Sequence, residues 1–282
     1  CSSDLNQDRN YITIDLKGNA KMADALALID NPPLYFARDM GIKPQDISGQ
    51  VDVRLKLDFE LRQDLDAKDI KVKVDADLHN VASSKLVENH QITADKMKLK
   101  VSSVGWNLAG DALFDKIPVQ FQIDEKFAAK DYQSKCHVAL MLDDAVKKEL
   151  GLDWAILDAP SLEGNIDIQA DVVVKNDDLI DVDIQADLQQ AKLDYAYLGL
   201  VKDKGQAATA NVKLQMKNKK LLAVPNFNLI KAGWTMKGSI SAYPSGRVKL
   251  IEISDISAPK TSARAKINLT DADTPTIKVE IS

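Results

Sequence analysis

The side chains able to do acid–base, nucleophilic or metal chemistry are sparse and poorly grouped. His79, His90 and His137 are the only histidines. None is paired with a cysteine, a second histidine or a carboxylate at the spacing metal sites use. The chain has no G-x-S-x-G, no P-loop and no G-x-G-x-x-G. Serines and aspartates are plentiful, but no histidine neighbours them in a patterned way. Asp75 and Asp77 in "VDADL" share one face of a strand and could hold a cation weakly. The lysines alternating with aspartates around them read instead as a solvated face. The expectation is a protein that is not an enzyme, with no catalytic residue, no metal and no cofactor.

The two cysteines are Cys1 and Cys136. Cys136 is in phase with Val138, Leu140 and Leu142 and reads as a small buried hydrophobe. Two cysteines so far apart do not make a disulfide framework. Cys1 heads "CSSD", which fits either a lipidated lipoprotein start or the edge of a piece cut from a longer chain. The second reading is preferred here, for a reason given below. A net charge of −5 with no dense basic patch argues against nucleic acid as a partner. No run of 18 apolar residues is present to span a membrane as a helix.

What is abundant is alternation. In "VDVRLKLDFEL" (51–61) every odd residue is apolar and every even one charged. Successive strand side chains point to opposite faces, so one face is dry and the other wet. The same period-two pattern recurs in 70–78, 117–123, 165–174, 180–188, 210–216, 238–242 and 276–281, separated by turn signals such as "KNDD", "KDKG", "KNKK" and "YPSG". About fifteen such segments with short connections predict antiparallel neighbours. Helical patterning is confined to 21–30, stopped by Pro32 and Pro33, and to 143–152, capped by Asp143 or Asp144 and ended by Gly151. The predicted fold is mainly β: a long antiparallel curved sheet shaped as a groove, with a few short helices too small to cover it.

The pattern also repeats. "GQVDVRL" at Gly49 resembles "GNIDIQA" at Gly164, "KVDADL" resembles "DIQADL", and "GWNLAG" (105–110) resembles "GWTMKG" (233–238), in the same order. Each copy is preceded by a strand, a short helix and a Pro-containing loop. This predicts one continuous groove over 1–282 made of two units, about 10–134 and 135–282, sharing a sheet. In the Trp motifs, the glycine before each Trp suggests a bend or bulge, and the one four residues later suggests close backbone approach. Trp106 and Leu108 share a phase, as do Trp234 and Met236. Each Trp reads as a packed residue on a bent strand, as a side chain lining an apolar cavity, or as both.

Residues 23–61 resemble the central region of AsmA-like proteins of the YhdP and TamB type, from alphaproteobacteria. The match rests on a helix, a PPL element (Pro32, Pro33, Leu34), a segment with Gly41, Ile42, Pro44, Ile47 and Gly49, and then long alternating strands. "LDDAVKKELGLD", "LEGNIDI" and "VPNFNLIKAGWTMKGSI" extend it to about residues 10–270. Members of that family are much longer and carry an N-terminal membrane helix, hence the reading of Cys1 as a fragment edge.

The resemblance implies a periplasmic segment of an inner-membrane-anchored bridge. Such a bridge carries phospholipids between inner and outer membranes along a repeating β-groove, in outer-membrane biogenesis of the Gram-negative envelope. Phospholipid would then be the transported ligand, not a cofactor. The residues expected to line the groove are Val51, Val53, Leu55, Leu57 and Phe59, with Val72, Val74, Val119 and Phe121. From the second copy come Ile166, Ile168, Ala170 and Val172. Trp106, Leu108, Trp234 and Met236 complete the set. Two other functions fit the same pattern. One is a β-sandwich or scaffold module that holds an outer-membrane assembly partner by its sheet edges. The other is a lipid-anchored periplasmic lipoprotein that binds a hydrophobic ligand.

Overall fold

Period-two segments of up to 17 residues become strands because each can bury one side and hydrate the other. The structure is a computed structural model. It describes residues 11–31, 42–61, 64–66, 69–87, 90–128, 132–150, 152, 160–175, 178–259, 261–271 and 277–281. Cys1, the PPL element, Gly41 and Gly151 lie outside the described residues. The chain divides into two compact units between Ala128 and Ala129.

Unit 1 holds β1 (Tyr11–Lys21), α1 (Met22–Ile29), a 3₁₀ turn (Pro44–Asp46), β2 (Ile47–Glu60), β3 (Lys71–Val87), β4 (His90–Ser102), β5 (Gly105–Phe114) and β6 (Ile117–Lys126). Its strands pair antiparallel in chain order, β1 through β6. Unit 2 holds β7 (Ser134–Leu142), α2 (Asp144–Glu149), β8 (Leu162–Gly164), β9 (Ile166–Val174), β10 (Leu179–Asp187), β11 (Ala191–Tyr195), a second 3₁₀ turn (Ala196–Leu198) and β12 (Leu200–Lys202). It continues with β13 (Ala208–Lys217), β14 (Lys220–Lys231), β15 (Trp234–Ala242), β16 (Val248–Ala258), β17 (Thr261–Leu269) and β18 (Ile277–Ile281). Here the order is β7-β9-β10-β13 and onward to β18, all antiparallel, with β8, β11 and β12 forming a separate three-stranded sheet. The fold is therefore mainly β, antiparallel and open, as the alternation predicts.

Local chemistry sets the breaks. Asp143 Oδ1 accepts the Val146 N–H at 2.8 Å, an N-cap for α2. Asn31 Nδ2 donates to the Ala27 and Leu28 carbonyls at the end of α1, and the Asn31 backbone N–H also donates to the Leu28 carbonyl. Asp115 and Lys116 between β5 and β6, and Asn218 and Lys219 between β13 and β14, all have positive φ, the geometry of a tight hairpin turn.

Register shifts interrupt several ladders and bend the strands. Gly238 sits at one of them: a Cβ there would lie 2.4 Å from the Glu252 carbonyl oxygen. Gly49 (φ +134) sits at another, between Ser48 and Gln50, where a Cβ would lie 2.8 Å from the His79 carbonyl oxygen. Gly238 meets the close-approach signal of its Trp motif, whereas Gly105 and Gly233, read as bends or bulges, sit at the β4–β5 and β14–β15 hairpin turns.

Each unit has one apolar cluster. In unit 1, Met22 of α1 packs with Ile47, Val51, Leu78, Val81, Ala94 and Met97. In unit 2, Leu162, Leu193, Tyr195 and Leu200 of the small sheet pack on Leu142, Ile166, Ala208 and Trp234 of the large one. The common pattern is strand, helix, strand, strand: β1-α1-β2-β3 and β7-α2-β9-β10. The Trp motifs depart from it. One strand, β4, separates β3 from β5, whereas β13 and β14 separate β10 from β15. The extra strand reverses direction, so Trp234 lies at the helix-side end of its sheet and Trp106 at the far end of its own.

Candidate functional site: two apolar sheet faces

Register brings the groove residues of each unit onto one face. In unit 1, Val51, Val53, Leu55 and Leu57 pair with Leu78, Ala76, Val74 and Val72. Phe59 pairs with Ile12 of β1. Val74, Ala76 and Leu78 pair in turn with Val101, Leu99 and Met97. Val101 and Leu99 pair with Trp106 and Leu108. On β6, Val119 and Phe121 pair with Ala112 and Gly110. The opposite face carries Asp52, Arg54, Lys56, Asp75, Asp77, Lys98 and Lys100.

In unit 2, Ile166, Ile168, Ala170 and Val172 pair with Leu142, Leu140, Val138 and Cys136. Ile168, Ala170 and Val172 pair on their other side with Ala186, Ile184 and Val182. Met236 pairs with Leu229 and Ile256. All seventeen residues thus lie on the apolar face of their own unit.

They do not share one environment. Val51 lies under α1, and Ile166 and Trp234 lie under the small sheet, each nearly fully buried. Val72 is buried beside the β4–β5 connection, where its N–H donates to Ser103 Oγ at 2.9 Å. Val53, Leu55, Leu57, Phe59, Val74, Trp106, Leu108, Val119 and Phe121 are half-buried, as are Ile168, Ala170, Val172 and Met236. Val53, Val74, Leu108, Val119, Phe121, Ile168 and Met236 pack against the buried clusters, while Leu55, Leu57, Phe59, Trp106, Ala170 and Val172 lie outside them. Cys136 is half-buried there, and burial pushes its thiol pKa up.

Two side chains fasten the cover of unit 2. Trp234 Nε1 donates to the Leu198 carbonyl at 3.0 Å, tying β15 to the 3₁₀ turn. Lys202, 1% exposed, donates from Nζ to the carbonyls of Ala191, Asp203 and Gln189 at 2.5, 3.1 and 3.4 Å. Burial pushes its ammonium pKa down. Lys147, also buried, reaches the Leu162 carbonyl and pairs with Asp144 at 2.6 Å. Nothing in "LVKDKG" distinguishes Lys202 from the exposed lysines around it, so the sequence carried no signal for this anchor.

The polar faces hold contacts that sequence spacing could not reveal. Each histidine meets an aspartate: His79 Nε2 lies 3.1 Å from Asp52 Oδ2, His137 Nδ1 lies 2.8 Å from Asp171 Oδ1, and His90 meets Asp115. His79–Asp52 and His137–Asp171 cross between strands; His90–Asp115 joins β4 to a turn. The Asn19 amide and then His79 hold the Asp52 carboxyl below its ordinary pKa. The Thr13 hydroxyl, with Lys56, does the same for Asp58, and Lys175 for Asp181. Among the described residues no group of three potential ligands is placed to hold a metal ion, and no helix is long and apolar enough to cross a membrane.

No family model, curated protein or solved structure matches the chain.

Proposed function

We propose that the open parts of the two apolar faces bind the acyl chains of phospholipids, and that the chain is a lipid-carrying segment of a periplasmic β-groove bridge of the AsmA-like type. The observation that carries this reading is the incomplete cover. In each unit one sheet face is apolar across all its long strands, yet α1 or the small sheet seals only one end. Contiguous exposed apolar surface on a monomer is ordinarily limited to about 300–600 Å². Acyl chains on the remainder would remove that surface from water at about 25 cal/mol per Å². The lining is aliphatic and carries few polar hooks, so a tail could shift along it without crossing a strongly favoured position. No bond is made or broken, in keeping with the scattered titratable groups.

Native mass spectrometry of the purified chain tests this. Phospholipid should co-purify with the wild type and be lost from Leu55→Asp or Leu57→Asp while the circular dichroism of the sheet persists. Wild-type protein free of lipid, and unable to take it up from phosphatidylethanolamine vesicles, would overturn the reading.

A further inference from the structure

The two Trp motifs end in different hydrogen-bonding states. Trp234 Nε1 has a backbone acceptor in the cover of unit 2. Trp106 Nε1 is shielded from water and has no hydrogen-bond partner among the described residues. A buried indole N–H without an acceptor costs roughly 1–3 kcal/mol. The ring lies on the apolar face of unit 1, at the end away from α1, between Val101 on β4 and Glu125 on β6.

We propose that Trp106 Nε1 donates to an acyl-ester carbonyl of a diacyl glycerophospholipid held on the apolar face of unit 1. The proposal rests on the acyl-chain reading above and adds the ligand group and its direction. Three observations select an ester carbonyl. The site offers one neutral donor. Glu125 directly opposite disfavours a phosphate anion at this spot. The neighbouring lining, Leu99, Val101, Leu108 and Ile123, suits hydrocarbon. With the carbonyl at Trp106, the tails run along the face toward α1 and the phosphate projects past the margin of the sheet. Because Nε1 is enclosed, binding must turn the indole or part its neighbours, so Trp106 reports occupancy.

The test uses the full chain labelled with 5-fluorotryptophan. It is titrated with diheptanoylphosphatidylcholine and with the diether lipid of the same length, which lacks the carbonyls. The fluorine signal of Trp106, assigned by its loss in Trp106→Phe, should move on binding the ester lipid. The wild type should bind the ester about two- to tenfold more tightly than the ether, the range of one net hydrogen bond. Trp106→Phe should erase that preference. Equal affinity of the wild type for both lipids, or binding that leaves the Trp106 signal in place, would overturn the inference. Failure of both lipids to bind would instead overturn the acyl-chain reading, and this inference with it. The ester–ether comparison on the wild type does not depend on the variant folding.

Discussion

Lys202 and Trp234 carry more of unit 2's stability than their positions in the sequence suggest. Lys202→Ala removes a fully buried side chain and its three hydrogen bonds, and should cost about 2–4 kcal/mol in denaturant unfolding. Its depressed pKa also fixes a sign. Between the lowered folded value and the ordinary one near 10.4, the unfolded chain binds more protons than the folded one. The Lys202 contribution therefore rises with pH through that alkaline window, and Lys202→Met should lack the rise. The aspartates run the other way. Asp52 and Asp58 have depressed folded pKa values, so their contribution is present above the ordinary carboxylate value near 3.9 and lost as pH falls through the folded ones. Both accept hydrogen bonds from β1, through Asn19 and Thr13. Acidification should lower amide protection in β1 before it does so in β3 and β4, as hydrogen exchange read by NMR would show.

At the scale of elements, period-two alternation made strands, faces and turn positions legible because one wet side and one dry side leave a direct trace in the sequence. The short helices were legible from their stops and from Asp143. Which strand lies beside which was not legible where pairing skips: β9 joins β7 and β13 joins β10, and three short strands leave the large sheet altogether. Those strands, "LEG", "AKLDY" and "LVK", are too short to show a period. Their detachment is also what buries Ile166 and Trp234, so neither sits on the open part of the face. The histidine–aspartate contacts were hidden for a related reason: partners 25 to 34 residues apart are set by register and turn placement. Gly238→Ala tests the close-approach reading. Its Cβ would press on the Glu252 carbonyl oxygen and on the Phe227 ring. The variant should unfold at least 1 kcal/mol more easily, and a Gly18→Ala control, with open space around it, should not.

For the molecule as a whole, the prediction concerns access to the apolar faces. Cys136 sits on the open part of unit 2's face and serves as a native reporter. In a Cys1→Ser background, a maleimide should modify Cys136 slowly, and a saturating short-chain phospholipid should slow it severalfold further. An unchanged rate at saturation would place the lipid elsewhere.

The partial covers also act as a ruler. In β2, the stretch from Leu55 to Glu60, outside the cluster built around α1, spans about 17 Å at 3.3 Å per residue. One leaflet of bilayer hydrocarbon is about 15 Å deep, half the usual core. A single tail laid lengthwise would therefore fit between the margin and the helix, while two placed end to end would not. The helix and the small sheet would then do more than complete a core. Each would limit how deep the cargo of its own unit can lie, with the head group at the open end of that unit.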